Sequence, residues 1–136
     1  MNKDKNERLE TVNALIKFIS ERSRRFFYCN SKNRTAFMKM KSGYVYFVDD
    51  YTGEDVFAYS HYTDRNGFSH GGTLWALVCD FSEFIRKGNY PNGVHGYGGL
   101  YSEHWGYDDE SQKEIIQFAK QIGYLRETGK EVKKVC

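Results

Sequence analysis

Three stretches of the chain repeat apolar residues at helical spacing. In residues 7–22, Leu9, Val12, Leu15, Ile16 and Ile19 recur on one face, while Glu10, Lys17 and Glu21 fall mostly on the other. From Thr73 to Lys87, Leu74, Leu77, Val78, Phe81, Phe84 and Ile85 form one broad apolar stripe. Gly88 stands where a helix-terminating glycine belongs. From about Asp109 to Ile122, Ile115, Ile116, Phe118, Ala119 and Ile122 face inward. Asp108 or Asp109 caps that helix, Gly123 ends it, and Leu125 supplies the hydrophobic contact that goes with such a cap.

Between the first two helices the pattern changes to alternation. Arg25–Cys29, Arg34–Met40, Tyr44–Asp49 and Asp55–Tyr59 read as short strands. The turns between them lie at Asn30–Asn33, Ser42–Gly43 and around Gly53. Along the second strand Ala36, Met38 and Met40 share one face, and Phe37 and Lys39 the other. Connections this short cannot cross over, so the strands form an antiparallel meander. The expected fold is α+β: an antiparallel β-meander of three to four strands packed by helices in a two-layer single domain. The domain covers 1–125, and a charged tail follows over 126–136.

Composition narrows the class. Among 136 residues, 17% are aromatic, which argues against a mainly disordered chain. No run approaches the ~20 apolar residues that a membrane helix needs. Cys29, Cys79 and Cys136 are odd in number and widely spaced, without a Cys-x-x-Cys pair, and no apolar signal segment follows Met1. A cytoplasmic protein is the simplest expectation. The net charge of +2 conceals segregation: residues 1–41 carry +7, 42–112 carry −8 and 113–136 carry +3. That distribution fits a basic patch for an anion or an acidic face that mimics nucleic acid. It fits equally a fold in which the segments meet and cancel. Arg22, Arg24 and Arg25 suit the C-terminal end of the first helix. With Lys32 and Arg34 they are also the residues that would contact nucleic acid, the less favoured partner.

Candidate chemistry lies in two places. In Phe68-Ser69-His70-Gly71-Gly72-Thr73, two glycines precede the strongest helix and Thr73 can cap it. A helix N-terminus attracts phosphate or carboxylate, and His70 beside it would donate to that anion. If the protein were an enzyme, His70 and His61 would move protons on a phosphate-bearing ligand. The second place is residues 89–107, long for a loop in a compact domain. There Tyr90, His95, Tyr97, Tyr101, His104, Trp105 and Tyr107 alternate with glycines. Tyrosine and tryptophan on such a frame suit recognition of a protein or a base. Trp105 and Tyr107 are expected to anchor the loop to the core, leaving Tyr97 and Tyr101 exposed. The same exposed loop would serve as the seam of a homo-oligomer.

Other chemistries find less support. His61, His70, His95 and His104, even with Asp49 and Asp50, lack metal-ligand spacing, so no metal site and no cofactor are expected. Ser69 and His70 are adjacent, which hinders a nucleophile–base bond, and Cys79 has no evident base. In Asp49-Asp50 and Asp108-Asp109, one carboxylate of each pair is expected to point away. The strand Gly43–Val48 shares aromatic alternation with RNA-recognition modules but lacks their basic residue before the glycine, so it reads as core. Phe26, Phe27, Phe37, Phe47, Phe57, Phe81, Phe84 and Phe118 also read as core.

The stretch Gly67–Gly88, with Phe68-Ser69-His70-Gly71-Gly72-Thr73-Leu74 opening a helix that ends Phe84-Ile85-Arg86-Lys87-Gly88, resembles a family of small uncharacterised bacteriophage and prophage proteins. The downstream Trp105-Gly106-Tyr107 before a polar helix is similar too. Together the motifs span about residues 25–123. The resemblance implies a phage or mobile-element protein, and it transfers no catalytic residue. It implies a context in which such proteins bind and redirect a host factor; with the Gly/Tyr loop and the His70 turn, the expectation is a binding protein, leaning away from enzymatic activity, that engages a host protein or a nucleotide-like small molecule. Such a protein would act by inhibiting a host defence or nucleic-acid enzyme.

Overall fold

In the computed structural model, residues 4–22, 26–58, 71–90 and 106–125 are described. Helix α1 runs Lys5–Ser20, followed by β1 (Tyr28–Cys29), β2 (Arg34–Thr35), β3 (Phe37–Lys41), β4 (Tyr44–Val48) and β5 (Asp55–Phe57). Helices α2 (Gly71–Lys87) and α3 (Asp109–Gln121) complete the order. The class is α+β, with all strand pairing antiparallel and the meander made by β3, β4 and β5 in that order.

Each helix starts and stops for a local reason. The Asp4 side chain accepts the Glu7 N–H at 2.8 Å, so α1 begins two residues before the expected start at residue 7. Asp108 does the same for α3 by accepting the Ser111 N–H at 2.8 Å. At the end of α3, Gly123 takes φ +88°. The N–H groups of Gly123 and Tyr124 then return to the carbonyls of Lys120 and Ala119, at 3.2 and 2.9 Å. This is the two-bond glycine cap, and both residues that follow it, Tyr124 and Leu125, are buried in the core. Tyr124 is buried with its ring 5.3 Å from Phe81 and 5.2 Å from Phe84, while Leu125 is buried beside it.

The α2 stripe is the centre of the core. Leu74, Leu77, Val78, Phe81, Phe84 and Ile85 are all buried. Each contributes about 1.5–3 kcal/mol by leaving water. Val12, Leu15, Ile16 and Ile19 meet them from α1, and Met38, Val45, Phe47 and Val56 from the inner sheet face. Ile115 and Ala119 of α3 are buried, whereas Ile116, Phe118 and Ile122 pack only partly against the core.

Two polar residues fasten α1 to its neighbours. Arg8, nearly buried, donates from Nε to the Ile85 carbonyl at 3.0 Å, supplying a cation to the C-terminal end of α2. Asn13 reaches the free edge of β3. Its Nδ2 donates to the Met38 carbonyl at 2.9 Å, and its Oδ1 accepts the Met38 N–H at 2.6 Å. One carboxamide thereby stands in for a neighbouring strand at a sheet edge.

The first half of the meander differs from expectation. The strand expected over Arg25–Cys29 contains only β1, and that expected over Arg34–Met40 divides at Ala36. β1 and β2 form a separate two-stranded ladder, with Tyr28 opposite Thr35 and Cys29 opposite Arg34. The break follows from Phe27, whose φ of +68° turns the backbone so that its carbonyl accepts the Ala36 N–H at 2.8 Å. Between β3 and β4, Ser42 and Gly43 take φ +55° and +83°, the positive pair that a tight two-residue hairpin requires.

Candidate functional site

Alternation along β3, β4 and β5 sends every second side chain away from the helices. Register then assembles those side chains into one surface. Lys41 lies opposite Tyr44, and Lys39 opposite Tyr46, which in turn lies opposite Phe57. Tyr44 is 55% exposed, Phe37 43% and Phe57 39%. The Phe57 ring centroid lies 5.9 Å from Tyr44, edge-on, and 5.5 Å from Tyr46. Lys41 Nζ stands 4.9 Å above the Tyr46 ring. Asp55 at the border accepts Lys39 at 2.9 Å and Lys41 at 3.3 Å. The hydrogen bond from Lys39 is the main reason its carboxyl lies below the usual range. Asp55 is therefore an acceptor and not a proton donor. Among the described residues the face offers ring surface, two cations and no acid–base pair, which is chemistry for binding a planar or aromatic group beside an anion.

Phe37 and Phe57 correct the expectation that all the phenylalanines are core, and Tyr44 corrects the core reading of its strand. Phe37 shares strand parity with Lys39, and Phe57 with Asp55, so all three rings stand on the face turned from the helices. The other phenylalanines in described segments behave as expected: Phe26, Phe27, Phe47, Phe81 and Phe84 are buried. Phe118 stacks on Phe18 at 4.3 Å. Arg22 lies 3.8 Å above the Phe18 ring, donates to the Phe18 carbonyl at 3.3 Å and meets Glu114 at 2.7 Å. It joins α1 to α3, while Arg24 and Arg25 lie outside the described residues.

A second feature sits where β4 leaves the sheet. Asp49 and Asp50 are both buried, at 0% and 3% exposure, so neither carboxylate points away as expected. The period-2 rule fails there because β4 ends at Val48 and a turn begins. Asp49 Oδ2 accepts the N–H groups of Tyr51 and Thr52 at 3.2 and 2.9 Å, building the turn itself. Arg34 packs across it, donating to the Tyr51 carbonyl at 3.2 Å, close enough that a Cβ on Gly53 would stand 2.8 Å from its guanidinium. The Oδ1 atoms of Asp49 and Asp50 have no hydrogen-bond partner among the described residues. Burial, reinforced by the Asp49 charge and only partly offset by Arg34, pushes the Asp50 carboxyl up to about 6.

Of the residues named from the sequence, His61, His70, His95, Tyr97, Tyr101, His104 and Trp105 lie outside the described residues, as does the tail 126–136. Gly71, Gly72 and Thr73 open α2. The glycines are its first two residues and Thr73 its third. Of the two ends of the Gly/Tyr segment, Tyr107 is an anchor, buried, with its hydroxyl donating to the Ile19 carbonyl at 2.8 Å. Tyr90 is 41% exposed, 5.9 Å from Phe84. Burial raises the Cys79 thiol to about 11, which removes it as a nucleophile near neutral pH. No group of three or more potential metal ligands occurs among the described residues. Nor is any described helix long and apolar enough to cross a membrane.

A signal for the aromatic face is present in the sequence. Lys39 and Lys41 share parity with Phe37, and lysine marks the solvent side of a strand. The register that adds Tyr44, Tyr46 and Phe57 to them was not readable from any one strand.

Fold and face together define a small α+β protein with exposed aromatic residues on its three-stranded sheet. The chain belongs to the YoqU family, whose family model matches residues 2–136. It is 42% identical over 125 residues to the SPbeta prophage-derived uncharacterized protein YoqU of Bacillus subtilis (strain 168), an alignment covering 91% of this chain and 87% of that protein. No solved structure gives a significant match. A prophage protein family is thus established, as the sequence motifs implied.

Proposed function

We propose that this prophage-family protein is a binding protein whose recognition surface includes the open face of its three-stranded sheet. One observation carries the reading: Tyr44 and Phe57 are exposed in ring contact, with Lys39 and Lys41 on the neighbouring strand, and Phe37 is exposed on the same face at the other end of β3. Exposing aromatic surface costs free energy that a folded chain recovers when the surface is covered. Rings held on paired strands also lose little freedom on binding. The Gly/Tyr segment 89–107 belongs to the same reading as a second recognition element, with a host protein or a nucleotide-like ligand as partner. Occupying a host enzyme or its substrate would redirect that host activity.

The test is in-cell cross-linking of the tagged full-length chain, comparing wild type with Tyr44→Ala and Phe57→Ala. A companion set carries Tyr97→Ala, Tyr101→Ala and Trp105→Ala. The expected result is a defined bound macromolecule, protein or nucleic acid, whose yield falls sharply in the face variants. Recovery at wild-type level from folded face variants would refute the sheet face as a recognition surface.

A further inference from the structure

We infer that the open sheet face takes single-stranded nucleic acid, with bases on its rings and phosphates on the lysines of β3. This rests on the proposal that the face is a recognition surface and goes further by naming the class of ligand.

Among the described residues, both cations of the face stand on one strand. Lys39 and Lys41 are two residues apart on β3, the edge of the three-stranded sheet, and the rings of Tyr44, Tyr46 and Phe57 lie beside them on β4 and β5. The face therefore has a basic rim and an aromatic floor. That is the arrangement a single strand needs, with a negative backbone on one side and planar bases on the other. Tyr44 and Tyr46 are about 7 Å apart along the strand, given the rise per residue of an extended chain. A base on Tyr44 would thus lie about one nucleotide step from Tyr46, over whose ring Lys41 stands to meet the phosphate. Tyr44, the most exposed ring of the floor, is 55% exposed beside Phe57 and so has ring surface available to a base.

Asp55 is the competing anion. It holds both lysines in the free protein, at 2.9 and 3.3 Å, but these are exposed ion pairs of the kind that contribute little. A phosphate at the rim would displace it, so Asp55 should oppose binding. A protein docking on the rings has no such requirement for free lysines. Duplex DNA or RNA would bind poorly, because its bases are already stacked on one another.

The test is fluorescence anisotropy of the full-length chain with labelled oligo-dT and oligo-rU of about 15 nucleotides, long enough to cover one small binding face. A duplex control is run, each at low and high salt. The inference expects binding by at least one of the two strands, and which of them binds says whether DNA or RNA is the source. Affinity should fall with salt. Lys39→Gln and Lys41→Gln should each flatten the slope of log affinity against log salt by about 0.7. Tyr44→Ala should weaken binding about 5- to 100-fold with an unchanged melting curve. Asp55→Asn should tighten it. No binding of either strand by the folded protein would overturn the inference, as would equal binding of duplex, or affinity unmoved by Tyr44→Ala and the lysine variants. Asp55→Asn that fails to tighten binding would also overturn it. If neither strand binds while a host protein is recovered by wild type and lost from the face variants, this inference falls and the proposed function stands.

Discussion

Asp50→Asn should stabilise the protein at neutral pH, and the gain should vanish in acid. Asp50 is 3% exposed, and its Oδ1 has no partner among the described residues. The Asp49 carboxylate precedes it, and Arg34 spends its hydrogen bonds on backbone carbonyls of the turn. Desolvation is the largest effect, and the Asp49 charge adds to it, so the folded protein holds the Asp50 proton up to about pH 6 against an ordinary value of 3.8. That displacement corresponds to about 3 kcal/mol. Between those two values the folded chain binds more protons than the unfolded chain, so stability falls as pH rises. The favourable contribution is complete below 3.8 and lost on passing through 6. At pH 7.5 the native state therefore carries a buried, ionised and incompletely paired carboxylate. Asparagine keeps the shape and removes the charge, and its amide can donate to the unpartnered Asp49 Oδ1. The expected gain at pH 7.5 is about 1–3 kcal/mol, the lower figure allowing for imperfect pairing of the new amide. Urea denaturation of wild type and variant from pH 4 to 8, followed by tryptophan fluorescence, measures the difference directly. Titrations common to both proteins cancel. A variant less stable than wild type at pH 7.5, or a difference that does not change between pH 4 and 7.5, would refute the reasoning.

Three other substitutions test the joints of the fold. Asn13→Ala strands the N–H and carbonyl of Met38 at a partly buried sheet edge, and should cost about 2 kcal/mol in denaturant titration. Gly53→Ala places a side chain at φ +77° and against the Arg34 guanidinium. It should cost about 1–2 kcal/mol from the backbone alone, and by moving Arg34 it should shift the Asp50 titration to higher pH, which NMR of the carboxyl carbon would follow. Tyr107→Phe removes the buried bond to the Ile19 carbonyl and should cost about 1 kcal/mol, read as a lowered midpoint in urea with an unchanged slope.

The helices were legible because a 3.6-residue period survives any tertiary arrangement. All six apolar positions named on α2 are buried, and Asp108, Gly88 and Gly123 stand at helix ends as their chemistry dictates. The joints between elements were not. Arg8 and Asn13 lie on a helix where a polar residue ordinarily means solvent, yet their partners are Ile85 and Met38, 77 and 25 residues away. Nothing local announces such a pairing. The division of β2 from β3 depends on Phe27 adopting a positive φ, which is unusual for a bulky side chain and is sustained by its complete burial against Phe47 and Phe81.

The candidate surface was hidden by reasoning from residue type alone. Phenylalanine in a strand is usually core, but a strand has two faces, and only one of them here meets α1 and α2. On β3 the sorting is Met38 and Met40 inward, Phe37, Lys39 and Lys41 outward. On β4 it is Val45 and Phe47 inward, Tyr44 and Tyr46 outward. The inward set is aliphatic or phenylalanine, while tyrosine and lysine dominate the outward set. A core needs neither a phenol hydroxyl nor an ammonium, and a solubilising surface does not need Phe37, Tyr44 and Phe57 together. The combination fits a surface that is wet in the free protein and covered in a complex. The test therefore falls on Tyr44 and Lys39, whose side chains meet Phe57 and Asp55 on that outer face.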